Sequence, residues 1–464
     1  MINYIRFHKH SYTTLFEIIH TSMTIARPIL LNRLIQAKSH HLIKIITGIR
    51  RCGKSYLLFR LFKDHLLSSG INPRNIIEIN LEHPDFHAFR NALALRDLID
   101  KRMKAIRGEC FILIDEIQLA RKILPPDIDL TRYAPEDRKD CYLTFYDILN
   151  GLLNDRRANI YVTGPNAKLL SSEVSTYFRG RGEIIDLSPL SFAEFHSTLP
   201  DGIEFAEARD LYFRYGGLPE CVLRPTEREK RDYLQDIVNA IYLRDISERN
   251  NIKSSTLLEA LTNFAMSNIG ALTNPAKLAN ALTSAGQPTN HVTVGKYLSF
   301  LEDAFLIRRA VRYDIKGKRY LAASSKFYAM DTGLRNAVLG FRQIENSHLM
   351  ENVVYNELKR RGYAVDVGIV NTYPLKNGVQ TPTQTEIDFV ANSGSQRLYI
   401  QSAYAIPSED KLAQETNSLR HLHDGFRRIV INADLYGSSH MDDNGITFMG
   451  LKSFLLDPKS IETL

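Results

Sequence analysis

The stretch Gly48-Ile49-Arg50-Arg51-Cys52-Gly53-Lys54-Ser55 decides the fold, because it matches G-x-x-x-x-G-K-[ST] and stands where a phosphate-binding loop has to stand. Upstream, Leu42 to Thr47 is a short β-branched run that reads as a buried parallel strand. Downstream, Tyr56 to Leu67 repeats apolar residues at helical spacing. Loop N–H groups and the positive end of the following helix surround phosphates. Gly48, Ile49, Arg50, Arg51, Cys52, Gly53 and Tyr56 are therefore expected to line bound ATP. Lys54 would meet the β- and γ-phosphates, and Ser55 would offer its hydroxyl to Mg2+.

Roughly sixty residues later, Cys110-Phe111-Ile112-Leu113-Ile114-Asp115-Glu116 is an apolar strand that ends in two adjacent carboxylates, a Walker B pattern. Asp115 would hold the Mg2+ shell. Glu116 would then be free to take a proton from, or orient, the attacking water, a task the metal-bound carboxylate cannot also perform. Two carboxylates imply hydrolysis as well as binding.

At 464 residues the chain exceeds one ordinary core, so two to four domains are expected. A hydrophobic content of 44% with 24% charged residues describes a soluble globular protein. The longest apolar runs, around Ile112 and Tyr161, are of strand length, so no membrane span is expected. Cys52, Cys110, Cys141 and Cys221 fall singly, with neither zinc nor disulfide spacing, which suits a reducing cytoplasm. His40 and His41, or His421 and His423, lack a matching ligand set. The net charge of +7 permits contact with nucleic acid without requiring it. The first residues are too short and too charged a stretch for a secretory signal; they read as an arm (residues 1–25), and Met23 could be the natural start.

Between loop and Walker B, Asn75 to Leu81 alternates as a half-buried strand and Ala88 to Lys104 reads as a helix, so strands and helices alternate as in a parallel sheet. Pro125 to Asp140 is a loop, either laid over the nucleotide site or a solvated excursion. Phe145 to Leu153 is helical, and Asn159 to Gly164 is the next strand. Its polar tip, Thr163 with Asn166, offers candidates for holding the attacking water or the γ-phosphate; a plain turn explains the same residues. Arg179 and Arg181, each next to Gly180, could reach a neighbouring subunit's γ-phosphate in a homo-oligomer, or simply be solvated.

With these features the chain resembles the AAA-type ATP-binding proteins of bacteria and archaea whose P-loop domain is joined to a C-terminal DUF4143 domain. The resemblance runs from Arg27 to Pro458. It rests on Ile46 to Ser55, Asp115-Glu116-Ile117-Gln118, Phe178-Arg179-Gly180-Arg181, Pro189-Leu190-Ser191-Phe192 and Tyr215-Gly216-Gly217-Leu218-Pro219. The family usually has Thr after the loop Ser and Ser in the sensor turn, where this chain has Tyr56 and Pro165.

Asp201 to Leu218 reads as lid helices and Asp232 to Arg249 as an amphipathic helix leading out of the ATPase domain. A module starting near Ile252 has helices Pro275 to Ala285 and Thr293 to Leu306 joined by a Gly286-Gln287-Pro288-Thr289 turn. A hairpin carrying Arg308, Arg309, Arg312, Lys316, Lys318 and Arg319 follows, the pattern of a winged helix. Such a module grips DNA phosphates or serves as a protein contact. Farther on, a helix Glu, a strand Asp and then [E/Q]-x-K is the order of a restriction-type nuclease core, a fold to which the DUF4143 resemblance also points. That would place metal-binding groups at Glu357, Asp388 and Gln401, but Ala403 stands where the lysine belongs, so a scaffold without the chemistry is expected.

The expected fold is therefore α/β: a P-loop NTPase parallel sheet with a helical lid, then a winged helix and a restriction-endonuclease-like α/β domain. The boundaries would be 1–25, 26–250, 251–325 and 326–464. The expected activity is Mg2+-dependent ATP hydrolysis as a molecular switch. The rivals are a DNA-acting enzyme with a working C-terminal nuclease and a DNA-binding regulator that uses ATP as a ligand.

Overall fold

The computed structural model describes residues 24–164, 178, 180–252, 254–342, 344–372, 375–376, 379–380 and 383–462. It divides into two compact units, Thr24–Ser188 and the chain from Pro189 onward.

In the first unit, helix α1 (Pro28–Ala37) precedes strand β1 (Ile43–Gly48), which runs into the phosphate loop. The loop opens into α2 (54–68), whose middle, Leu57–Phe62, winds as a π turn. Strand β2 (Ile76–Asn80), helix α3 (Ala92–Lys104), strand β3 (Cys110–Asp115), helix α4 (Phe145–Leu152), strand β4 (Ala158–Thr163) and strand β5 (Gly182–Leu187) follow. The five strands form one sheet in the order β2-β3-β4-β1-β5, parallel throughout.

Strands β1 and β3 are buried at all their positions, as continuous apolar strands are when helices cover both sheet faces. On one face Ile45, Ile79, Ile114 and Val162 pack with Leu95 and Ile99 of α3 and Leu149 of α4. On the other, Phe62 of α2 meets Phe111 and Tyr161. Register then fixes the site: Ile46 pairs with Thr163 and Ile114 with Val162, so the carboxyl ends of β1, β4 and β3 finish side by side. Ligands of open parallel sheets bind at that edge. The run 126–140 is largely exposed, and its ends are held by the antiparallel bridge between Ile123 and Leu143, a solvated excursion.

The second unit begins with helices α5 (Phe192–His196), α6 (Phe205–Tyr215), α7 (Glu227–Asp236) and α8 (Ser255–Ser267), so the segment read as a lid lies within this unit. Next come β6 (Leu272–Thr273), α9 (Pro275–Ser284), α10 (His291–Asp303) and the hairpin β7 (Ile307–Asp314) and β8 (Arg319–Ala329). Helices α11 (Thr332–Val338) and α12 (Asn346–Arg360) lead to β9 (Ala364–Thr372), β10 (Thr383–Ser393) and β11 (Gln396–Ala403). Helix α13 (Glu409–Arg420), strands β12 (Arg427–Asn432) and β13 (Ile446–Gly450) and helix α14 (Leu451–Leu456) complete it. Among the described residues these strands make one sheet, ordered His440–Met441, β13, β12, β11, β10, β9, β7, β8, β6.

Two adjacent glycines explain how α6 is joined to the rest. Gly216 has φ +70°, and a Cβ there would overlap the Asp331 carboxylate, while one on Gly217 would overlap the Leu190 carbonyl. Helix α11 then caps α6: Thr332 Oγ1 donates to Tyr212 O at 2.9 Å, and Asn336 Nδ2 donates to Phe213 O and Arg214 O, each at 2.9 Å. The last carbonyls of a helix otherwise lack partners.

Candidate nucleotide site

Gly48 ends β1 at φ +147°, and any Cβ there would overlap Leu187 O of β5; Gly53 sits at φ +94° immediately before α2. Only glycine allows the chain to turn this tightly between two strands and a helix. Arg51 also takes a left-handed conformation, φ +65°, and points out to solvent. Lys54 is buried, and its ammonium donates to Gly48 O and Ile49 O at 3.1 Å each, so the loop is closed around its own lysine. Ser55 and Tyr56 are exposed on the first turn of α2. Cys52 is fully buried, and burial pushes its thiol pKa up, which makes it a packing residue.

Arg27, which sequence reasoning left without a role, is tied to this loop. Its guanidinium donates to Cys52 O at 3.2 Å and to Ser188 O at 2.9 Å, and the side chain is buried. A lone arginine ahead of a helix carries no periodic signal, because its partners are backbone carbonyls far along the chain.

Beyond β4, Asp115 is buried at the tip of β3. Thr163 Oγ1 donates to Asp115 Oδ1 and accepts the Glu116 N–H at 3.0 Å. One hydroxyl at the tip of β4 thus holds both Walker B residues in place. Glu116 stands in the left-handed region at φ +54°, a conformation that costs a non-glycine residue energy and that collects at functional sites. Its side chain accepts from Gln118 Nε2. Burial raises the Glu116 pKa, opposed by the Gln118 hydrogen bond and the Lys54 charge.

The residues present fit a nucleotide and its metal. Among the described residues, Thr47 Oγ1 and Gln118 Oε1 are buried with no hydrogen-bond partner, one at the end of the loop strand and one beside Glu116. Ser55 and Asp115 are hard-oxygen donors of the kind Mg2+ takes.

The structure brings together Lys54 and the loop, Asp115, Glu116 and Thr163. It does not bring the Arg181 backbone to them: its carbonyl accepts Ile43 N–H at 2.8 Å, at the opposite end of β1, about 17 Å away by strand rise. Asn166 and Arg179 lie outside the described residues.

In the second unit, Asp388 and Gln401 are neighbours as expected, with Asp388 N–H 3.4 Å from Gln401 Oε1. Glu357 is not with them. Its carboxylate is held by Arg360 and by Arg361 Nε at 2.9 Å, and the helix carboxylate on the Asp388 side is Glu351. The hairpin cations are engaged locally: Arg309 with Glu302 at 2.7 Å, Arg312 with Gln384 at 2.7 Å and Lys316 with Asn371 O at 3.3 Å. No helix among the described residues is long and apolar enough to cross a membrane.

Residues 40–196 match the AAA domain family, and residues 206–345 match a domain of unknown function, DUF8612. An uncharacterized protein of Haemophilus influenzae is 34% identical over 440 residues, 93% of this chain and 98% of that protein. An uncharacterized protein of Methanocaldococcus jannaschii is 27% identical over 384 residues, covering 80% of this chain and 76% of the relative. Among solved structures, a Walker-type ATPase of Pyrococcus abyssi aligns with TM-score 0.43 and 15% identity over 68% of this chain and 96% of that one.

Proposed function

The chain belongs to one family with the uncharacterized Haemophilus influenzae protein, and with an AAA domain at its core we propose that it is an ATPase that hydrolyses ATP with Mg2+ as a molecular switch. The observation that carries this reading is the Thr163 hydroxyl bonded to both Asp115 and Glu116 at the edge where Lys54 closes the loop. A site built only to hold nucleotide needs no second carboxylate fixed in a strained backbone.

Each group has a separate task. Loop N–H groups from Ile49 to Lys54 bind phosphate oxygens, and the Lys54 ammonium exchanges its two carbonyls for them. Mg2+, held by Ser55 and Asp115, would neutralise charge that develops on the transferred phosphoryl group. Glu116 orients the attacking water and accepts its proton; its raised pKa brings it nearer to the working pH. Thr163 is a positioning residue, setting both carboxylates at once.

The second unit is the coupled module of this switch. The order α8, β6, α9, α10, β7, β8 supports a winged-helix reading, and α12, β9, β10, β11, α13, β12 supports a nuclease-like one related to DUF4143. DNA through the hairpin, a protein partner and a homo-oligomer are its proposed contacts.

The deciding experiment is ATP calorimetry on folded Lys54→Ala protein. Loss of two charge-assisted contacts should weaken binding by roughly a hundredfold or more. Unchanged affinity would remove the phosphate-loop assignment and everything built on it.

A further inference from the structure

The nuclease-like order of α12, β10 and β11 calls for a divalent cation among their carboxylates, and the residues present do not fit one. Lys326, on β8, is buried, and its Nζ lies 2.9 Å from Glu351 Oε1 of α12, 2.7 Å from Glu386 Oε1 and 3.8 Å from Asp388 Oδ1, both of β10. An ammonium thus sits where three carboxylates converge.

Two of these carboxylates have a second donor. Tyr328 OH donates at 2.7 Å to the same Glu351 Oε1 that meets the ammonium, and Ser402 N–H donates to Asp388 Oδ2 at 2.9 Å. Gly270 leaves room for Glu351: a Cβ there would come within 3.1 Å of both its carboxylate oxygens. A divalent ion would need these same oxygens at about 2.0–2.6 Å around the position the ammonium fills. Among the described residues no group of three or more acids, histidines or cysteines is arranged to hold a metal.

Charge tells the same story. Burial alone would discharge Lys326, but Glu351, Asp388 and Glu386 outweigh it and push its pKa up, so it stays an ammonium. Burial and the Glu351 charge raise the Asp388 pKa as well, which for a carboxyl favours the neutral form. The ammonium thus puts a positive charge where an outside cation would otherwise sit.

We propose that Lys326 is the built-in counter-ion of the Glu351, Glu386 and Asp388 cluster, which therefore takes no divalent metal and serves to fasten β8 to α12 and β10. The basic charge missing at Ala403 is supplied from another strand, and it closes the site instead of serving a metal. This stands apart from the ATPase reading and survives its failure.

The test uses the full chain without nucleotide, titrated with Mn2+ by calorimetry and followed by thermal melting. Wild type and Asp388→Asn should take up Mn2+ alike, and neither should cut DNA. Lys326→Met, nearly isosteric and uncharged, should melt lower by about 5 °C or more, because three carboxylates lose their partner. It should also gain Mn2+ binding that restores the Tm and that vanishes in Lys326→Met/Asp388→Asn. Mn2+ uptake or DNA cleavage by wild type that disappears in Asp388→Asn would overturn the proposal, as would a Lys326→Met protein of unchanged Tm that binds no Mn2+. If Lys326→Met does not fold, the comparison of wild type with Asp388→Asn decides alone.

Discussion

Gly217 donates its backbone N–H to the Asp331 carboxylate at 2.8 Å, across 114 residues of chain. The other oxygen of Asp331 accepts Leu334 N–H at 3.0 Å and so starts α11. A single buried side chain joins the Tyr215-Gly216-Gly217 turn to the helix that caps α6.

That carboxylate makes stability depend on pH. Burial pushes the Asp331 pKa up to about 6, despite three backbone donors that favour its charged form. A pKa raised above the unfolded value of 3.8 gives stability that is full below pH about 4 and lost as pH rises through about 6. The second unit should therefore melt higher at pH 5 than at pH 7.5, by roughly 1.4 kcal/mol in unfolding free energy, since about one pKa unit of the shift remains above pH 5. In Asp331→Asn this part of the slope should vanish; a slope identical to wild type in urea melts across that window would assign it to other groups.

Replacing Glu116 by Gln should keep ATP and Mg2+ binding and slow hydrolysis about a hundredfold or more, as when a positioned base is removed. The wild-type rate should fall on acidification at a pH above the ordinary glutamate range, since burial raises this group. Single-turnover rates against pH read both effects, and a Gln variant hydrolysing at the wild-type rate would mean that Glu116 is not the base.

The Arg181 backbone stands at the far end of β1 from its own loop, so the role predicted for its side chain is at a neighbouring subunit's phosphate. Arg179→Ala/Arg181→Ala subunits and Glu116→Gln subunits, each inactive alone, should regain turnover when mixed. Full ATPase activity from a protein that sediments as a monomer would end this idea.

Lys318 is exposed at the hairpin turn, at φ +50°, and Arg319 lies 3.7 Å from Asp314. Reversing Lys316, Lys318 and Arg319 to Glu should weaken DNA binding for every sequence tested and flatten its salt dependence by up to about three phosphate contacts. Anisotropy titrations at several salt concentrations measure both. Unaltered binding would move any DNA contact off the hairpin.

The nucleotide site was legible because its signals are local. Cys110 to Ile114 is apolar without a break, Gly48 and Gly53 bracket the loop, and Thr163 falls at the end of a strand whose register the sheet then fixes. The cluster in the second unit was not. Lys326 reads as one more cation after a basic hairpin, and its meaning comes only from a fold that sets β8 beside α12 and β10. Glu351 and Glu357 share a helix, but six residues turn the helix by about 240° net of whole turns, so they face different neighbours. Periodicity alone offers either.

Arg27 has one further effect. It grips Cys52 in the phosphate loop with one nitrogen and Ser188 with the other, and Ser188 is the last residue before the chain passes into the second unit. A rigid planar guanidinium between two backbone carbonyls therefore ties the loop to the chain just past β5, so the loop's position and the exit of the chain from this unit are set by one side chain.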